Sequence, residues 1–367
     1  MLCLYASVCV CLMSLALWSG PQYDYPAYMS EWSRVLGGHN PWINDPDNAY
    51  GPGHQFLAPL FWLHPLAPKA LFVLSWFGCF IVIIDAAKRD IATDFKIFVT
   101  LFATPFLIIL VSLFGSEDIF VTFLALVAID GRTRKAHHVA PPLLLAAAAL
   151  TKVYPLALVP FLATDRRSID WRFIFIFVLT IAMGLALTIA LWGWSISQVI
   201  RIESLRESKM LSVFWFLSQS WLSPLAHTLL AQALINWNIV ILAVGMATLY
   251  AFHFLTKERA LTGTLAASII LLILYKAGNP QYFILPTTLL IYSVAAQARH
   301  NDGLDCRLII AAACYLLILN GFELWYWMTG GSFKFPEVRA AIGLHCFIAG
   351  VFLAWRVLVQ EGRQCSP

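Results

Sequence analysis

Charge is scarce in this chain. Only 12% of its 367 residues are Asp, Glu, Lys or Arg, against about a quarter in an ordinary soluble domain. That excludes a water-soluble globule. The net charge of +4 is small, and no nucleic-acid partner is expected. There is no CxxC pair and no cysteine cluster among Cys3, Cys9, Cys11, Cys79, Cys306, Cys314, Cys346 and Cys365. Neither a disulfide framework nor a zinc site is expected. No Walker A motif and no glycine-rich strand–helix phosphate loop occurs, which speaks against direct use of a nucleotide. No metal-ligating histidine pair is present. Asp45-Pro46-Asp47 has the D-x-D spacing that can hold a divalent ion with a diphosphate. A turn around Pro46 explains the same residues equally well, so no metal and no cofactor are expected. Internal repeats, low-complexity tracts and a second domain are absent as well, and the pattern predicts a single domain over 1–367.

What the chain has instead is apolar runs. It is 60% hydrophobic, with a mean hydropathy of +0.76. The runs predict an all-α polytopic bundle with spans near 2–19, 69–87, 96–114, 117–130, 171–193, 233–254, 260–275, 282–298, 308–327 and 340–357. Leu2 to Trp18 reads as a retained first helix, since no basic residue precedes it and no small-x-small site follows it. The run "PPLLLAAAALTKVYPLALVPFLA" is interrupted at Thr151-Lys152 and again at Pro155, with basic residues on both flanks. Two half-spans meeting at Lys152 put both flanks on one side. The expectation is therefore about ten full spans plus a half-span hairpin.

Basic residues set the orientation. Lys88-Arg89, Arg132 to Lys135, Arg166-Arg167, Lys257 and Arg259, Arg299 and Arg307, and Arg356 and Arg363 all fall on one predicted side. The positive-inside rule makes that side, and both termini, cytoplasmic. The outer face then receives 20–68, the tip at 115–118, 194–232, 276–281 and 328–339. The long segments 20–68 and 194–232 would form its active face.

Those outer segments hold the candidate residues. The first carries Asp24, Glu31, Asp45, Asp47, His54 and Gln55, among turn formers and aromatics. Tyr23, Tyr25, Trp32 and Trp42 read as interfacial anchors, and "PAYMSEWSRVL" as a short interfacial helix. Asp24, at the exit of the first span, has no such explanation. Glu117 and Asp118 stand at the tip joining two spans, where a turn and a site are equally good readings. Lys152 lies deep in apolar sequence. It either snorkels to an interface or faces a cavity as an anion site. "SISQVIRIESLRESKML" reads as an interfacial amphipathic helix, with Val199, Ile202, Leu205 and Met210 at helical spacing. Its cations Arg201, Arg206 and Lys209 suit a lipid phosphate. In "YKAGNPQYFILP", Lys276, Asn279, Gln281 and Tyr282 gather in one inter-span turn.

In order, Asp24-x-x-x-Tyr28, "VLGGHNPW", "NAYGPGHQFLAPLF", "LTKVYPLALVP" and "NPQYFILP" resemble the multi-span glycosyltransferases of the GT-C class. The closest resemblance is to the polyprenyl-phosphate-mannose-dependent glycosyltransferase family 87. It covers most of the chain. Trp42 stands where that family usually has Tyr, Gly51-Pro52-Gly53 replaces its Pro-Pro, and "GSED" its Gly-Gln or Gly-Asn pair. The resemblance implies a GT-C bundle in a plasma membrane of bacterial inner-membrane type, with interfacial helices in its outer loops. It implies transfer of a hexose, with mannose the first candidate, from a polyprenyl-phosphate donor to a lipid-linked or glycan acceptor on the extracytoplasmic face, with inversion. Asp24 would be the general base. Lys152, Arg201, Arg206 and Lys276 would hold the donor phosphate. Tyr28, Glu31, His54, Gln55, Glu117, Asp118, Tyr154, Asn279, Gln281 and Tyr282 would line the substrate site. A multi-span sugar transporter, or a polymerase of the O-antigen type, is the competing class.

Overall fold

A backbone in lipid must satisfy its own polar groups, which favours helices wherever the sequence is apolar. The computed structural model describes residues 2–43, 48–87, 91–134, 138–165, 168–205, 209–218, 228–256, 260–299, 306–330 and 336–364. These residues are mostly helical. The chain divides into two compact units, Met1–Val159 with Asp170–Leu205, and Pro160–Ile169 with Arg206–Pro367.

In the first unit the helices are α1 (Leu2–Trp18), α2 (Tyr25–Leu36), α3 (Pro52–Gln55), α4 (Ala58–Leu63), α5 (Ala67–Ala86), α6 (Ile91–Phe102), α7 (Pro105–Leu107), α8 (Asp118–Thr133) and α9 (Ala140–Thr151). Pro105 breaks α6 from α7, and α7 continues into a π-helix over Ile108–Leu113. The two halves meet at 53°, with a proline and a π segment as the ordinary causes of such a bend. After α9, Lys152 leaves the helical region, with φ −140 and ψ 143. A 3₁₀ turn follows at Tyr154–Leu158, then α10 (Val159–Leu162), which spans the division between the units. The expected break at Lys152 is thus present. The unit ends with α11 (Trp171–Trp192) and α12 (Ser197–Leu205). Helices α5, α8, α9 and α11 pack in sequence, with α1 against α5.

The second unit holds α13 (Val213–Ser218), α14 (Leu229–Asn236), α15 (Asn238–Thr256), α16 (Ala260–Leu274), α17 (Ile284–Arg299), α18 (Cys306–Met328) and α19 (Pro336–Gln364). Helix α19 packs on α13, α16 and α18. Two short extended pairs occur here, Thr164–Asp165 with Ser168–Ile169, and Lys209–Met210 with Ala277–Gly278. Met210, expected on the amphipathic helix with Val199 and Leu205, is therefore in a strand. That helix ends at Leu205, and its continuation through Arg206 lies outside the described residues. Within α18, Glu323 is fully buried, and neither carboxylate oxygen has a hydrogen-bond partner among the described residues.

Five helices among the described residues are long and apolar enough to cross a membrane: Ala67–Ala86, Trp171–Val199, Asn238–Thr256, Ile309–Met328 and Glu337–Val359. The bent pair Ala92–Phe102 and Pro105–Leu113 makes a sixth. The other predicted spans are present as helices shorter than this. Only 11% of the Trp171–Val199 window is buried inside the protein, and Phe175, Met183, Leu187 and Leu191 stand exposed. An apolar surface of that extent suits acyl chains rather than water. The helices are those of an integral multi-pass membrane protein.

Candidate functional site

The first unit gathers its polar groups where its helices end. Asp24 is the N-cap residue of α2, and its carbonyl accepts the backbone N–H groups of Ala27 and Tyr28 at 3.0 and 3.2 Å. Tyr23, just before it, has φ 55. A bulky residue in the left-handed region costs roughly 1–2 kcal/mol. Stacking of Tyr23 on Phe114, with centroids 4.8 Å apart, accompanies that conformation.

A second device fixes the same corner. Lys69, buried in the first turn of α5, donates from Nζ to Ser19 Oγ at 2.7 Å and to the carbonyls of Gly20 and Leu113 at 2.8 Å each. It ties the exit of α1 to the end of the π-helix, the two stretches that lead into Asp24 and into Ser116-Glu117-Asp118. Gly115, at φ +70, packs against the Lys69 stem and the Tyr25 ring, where a Cβ has no room.

The third approach is made by α3. Gly51 donates its N–H to the Thr151 carbonyl at 3.1 Å. A Cβ at Gly51 would collide with the Leu150 carbonyl, and one at Gly53 with the Thr151 side chain and nitrogen. Glycine at both positions lets α3 lie against the last turn of α9. That contact holds α3, which carries His54 and Gln55, against the end of α9 that leads into Lys152, so the Gly-Pro-Gly run has a packing reason.

The charged groups then alternate in sign. Gln55 Nε2 donates to Glu31 Oε2 at 3.0 Å, and the same oxygen lies 3.5 Å from His54 Nε2. His54 Nδ1 bonds Glu117 Oε2. Lys152 Nζ lies 3.6 Å from Glu117 Oε1 and bonds Asp118 Oδ2 at 2.7 Å. Ser116 Oγ donates to Asp118 Oδ2 at 2.9 Å. The order is Glu31, His54, Glu117, Lys152, Asp118. All five are buried, Lys152 being the most exposed at 8%.

These groups act on one another and on the phenols around them. Burial pushes the Glu117 carboxyl up, but the charges of His54 and Lys152 prevail and hold it below the ordinary glutamate range. Burial pushes the Tyr28 and Tyr50 phenols well up, and the charges of Asp24 and Glu117 push both further. Asp24 thus belongs electrostatically to this cluster.

The aromatics correct one expectation. Tyr25, Trp32 and Trp42, expected as interfacial anchors, are fully buried, and Tyr23 alone of the four is exposed. Helix α2 turns its aromatic face onto α3 and α4. The His54 ring stacks on Trp32 at 4.9 Å and on Tyr50 at 4.7 Å, and meets the edge of Tyr28 at 5.0 Å. Trp32 Nε1 donates to the His54 carbonyl at 2.9 Å. Trp42 Nε1 donates to the Tyr50 carbonyl at 3.0 Å.

The first unit therefore brings together Asp24, Tyr28, Glu31, His54, Gln55, Glu117, Asp118, Lys152 and Tyr154. Lys69 and Tyr50 belong with them and were not singled out by the sequence pattern. A lysine opening a span reads as an ordinary flank, and Tyr50 as one more loop aromatic. Lys152, expected to find a donor phosphate, has Asp118 and Glu117 beside it. Arg201 is exposed on α12. Asp45, Asp47 and Arg206 lie outside the described residues. Lys276, Asn279, Gln281 and Tyr282 belong to the second unit, in the turn between α16 and α17. There the Lys276 N–H donates to Asn238 Oδ1 at 3.0 Å, and Gln281 is buried. Among the described residues no group of three or more His, Cys, Asp or Glu is arranged to hold a metal ion. No protein-family model matches the chain, and no curated protein is significantly similar to it.

Proposed function

We propose that the chain is an integral-membrane glycosyltransferase of the GT-C type. It moves a hexose, mannose being the first candidate, from a polyprenyl-phosphate donor to a lipid-linked or glycan acceptor. The observation that carries this reading is the convergence, in a chain so poor in charge, of four carboxylates with Lys152 and His54 at helix ends. Buried charge in a membrane protein is costly and is kept where it serves a function. In this reading the shorter helices α1, α8, α16 and α17 complete a bundle of about ten spans with the half-span hairpin at Lys152. The site faces the extracytoplasmic side of a plasma membrane of bacterial inner-membrane type.

The chemistry follows from the groups. The acceptor hydroxyl oxygen attacks the anomeric carbon, the carbon–oxygen bond to phosphate breaks, and the polyprenyl phosphate leaves with the bonding pair. Asp24 takes the hydroxyl proton, a role that typically contributes about 10²–10⁴ in rate. Single displacement inverts the anomeric configuration. Charge grows on the phosphate oxygen as the bond breaks, and a cation at that place lowers the barrier. Lys152 fills that role at this cluster, with Arg201 of the same unit as a further candidate phosphate ligand. Tyr28, Tyr154 and the amide of Gln55 offer hydrogen bonds to sugar hydroxyls.

A second reading, a transporter of lipid-linked sugar, is favoured by Glu323, because buried intramembrane acids commonly mark ion or proton pathways. One experiment separates the two. The purified chain in detergent is offered short-chain polyprenyl-phosphate hexoses and a lipid-linked acceptor. New glycosidic product supports transfer. Absence of product, with sugar movement across reconstituted vesicles, supports transport.

A further inference from the structure

Lys152 ends in an ammonium with three donors and no acceptor. Two carboxylates at the start of α8 draw it one way. Asp118 Oδ2 bonds it at 2.7 Å, and Glu117 Oε1 lies at 3.6 Å. A third neighbour is of another kind. Lys152 Nζ stands over the Tyr50 ring, 5.1 Å from its centroid, a distance at which an aromatic face attracts a cation. The loop before α3 fixes that ring. Asn48, buried, donates from Nδ2 to the Pro41 carbonyl at 3.0 Å and accepts the Tyr50 N–H at 3.1 Å. Trp42, also buried, donates to the Tyr50 carbonyl at 3.0 Å. Gly51, the next residue, donates at 3.1 Å to the carbonyl of Thr151, the residue before Lys152. The ring itself stacks on His54 at 4.7 Å and meets Tyr28 edge-on at 5.0 Å. Ring and ammonium are thus tied together through the main chain as well as through space.

We propose that Tyr50 is a positioning residue whose ring face keeps the Lys152 ammonium from closing on Glu117, and so leaves it shared between Asp118 and the phosphodiester of the donor. The inference rests on the transferase reading and deepens it. A third carboxylate in the place of the ring would take a hydrogen-bond donor from Lys152 and cancel its charge. An aromatic face attracts the ammonium through its quadrupole and adds no net charge, so the pull of Lys152 on an anion survives. The ring also restrains a flexible four-carbon stem, and a side chain placed beforehand loses less freedom when the ligand arrives. Without the ring the ammonium settles between Glu117 and Asp118, and a phosphodiester has to draw it out. Tyr50 touches no phosphate in this scheme and acts through Lys152.

The test is equilibrium binding of a short-chain prenyl methyl phosphodiester to the full chain in detergent. Tyr50→Phe is the parent of a series in which the same ring carries one, two and three fluorines. Fluorine hardly changes the ring's size but weakens the attraction of its face for a cation step by step, so a purely packing role would leave the series flat. Affinity is expected to fall at each step, by about tenfold over the whole series. In Lys152→Met, which has no ammonium to hold, fluorination should change nothing. A second measurement needs no ligand: in equilibrium unfolding, Tyr50→Leu with Lys152→Met should lose less stability than the two single losses added together. A flat or rising series overturns the proposal, as does an additive cycle, a graded series that persists in Lys152→Met, or no phosphodiester binding by wild type. Should Tyr50→Leu not fold, the fluorine series decides. A graded series without any hexose transfer would sink the transferase reading alone, and transfer with a flat series would sink this one alone.

Discussion

Lys152→Met is the sharpest perturbation the site allows. The methionine keeps most of the stem and removes the ammonium. Lys152 is 8% exposed, and Glu117 and Asp118 are fully buried, so water screens little of the loss. Asp118 gives up a bond of 2.7 Å, and Glu117 a charge at 3.6 Å. Removing one partner from a buried ion pair costs about 3–5 kcal/mol, because the other charge is left uncompensated. Asp118→Asn alone should cost less, about 1–3 kcal/mol, since Lys152 still has Glu117. The double variant should be more stable than the sum predicts, with a coupling of about 1–3 kcal/mol. The assay is equilibrium unfolding in mixed micelles on all four proteins, scored by the fraction that remains monodisperse. Additive losses, or a Lys152→Met variant as stable as wild type, would refute the pairing and return Lys152 to the interface as a snorkelling side chain. Lys152→Arg keeps the charge with a bulkier planar head, so it should hold the fold and is the better probe of donor binding.

Asp24→Asn should lower turnover about a hundredfold while donor binding and expression hold; near-normal turnover would move the base elsewhere. The Glu117 carboxyl is held below its ordinary range in the folded chain, where the His54 and Lys152 charges outweigh the upward push of burial. Its stabilisation is full above the unfolded value of about 4.3 and lost as pH falls through the lower folded one. Acid should thus destabilise wild type more steeply than Glu117→Gln, and equal slopes in unfolding experiments would count against the pairing. Gly53→Ala places a methyl group against the Thr151 backbone and should cost about 1–3 kcal/mol. An unchanged melting profile would show that α3 is free to draw back from α9.

Much of the fold is legible because apolar run length and helix length are the same quantity. The predicted segments are helical, though among the described residues only five, or six with the bent pair, are long and apolar enough to cross a membrane, and the break at Lys152 follows from a charge and a proline inside an apolar run. The division into two units is not legible, since no linker composition marks Val159 or Leu205. The site is legible as a list and not as a geometry. A carboxylate, a lysine or a histidine stands out against apolar sequence, so Asp24, Glu31, His54, Glu117, Asp118 and Lys152 are visible one by one. Who meets whom is a tertiary fact: His54 and Glu117 are 63 positions apart, Lys152 and Asp118 34. The aromatics of α2 mislead for a physical reason. Tyr and Trp serve a lipid interface and a buried cage by the same amphipathic shape, and composition does not separate the two uses.

The clamp at Lys69 reads mostly main chain. Two of its three acceptors are backbone carbonyls, at Gly20 and Leu113, and a carbonyl is supplied by any residue. The corner that carries Asp24 and Glu117 is therefore insured against drift at position 113, where any side chain compatible with the π-helix leaves the bond intact. Its vulnerability is concentrated at Lys69, with the Ser19 hydroxyl as the one side-chain acceptor. In a saturation-mutagenesis screen for function, position 69 should reject nearly every replacement while position 113 accepts many, although the two residues make the same hydrogen bond.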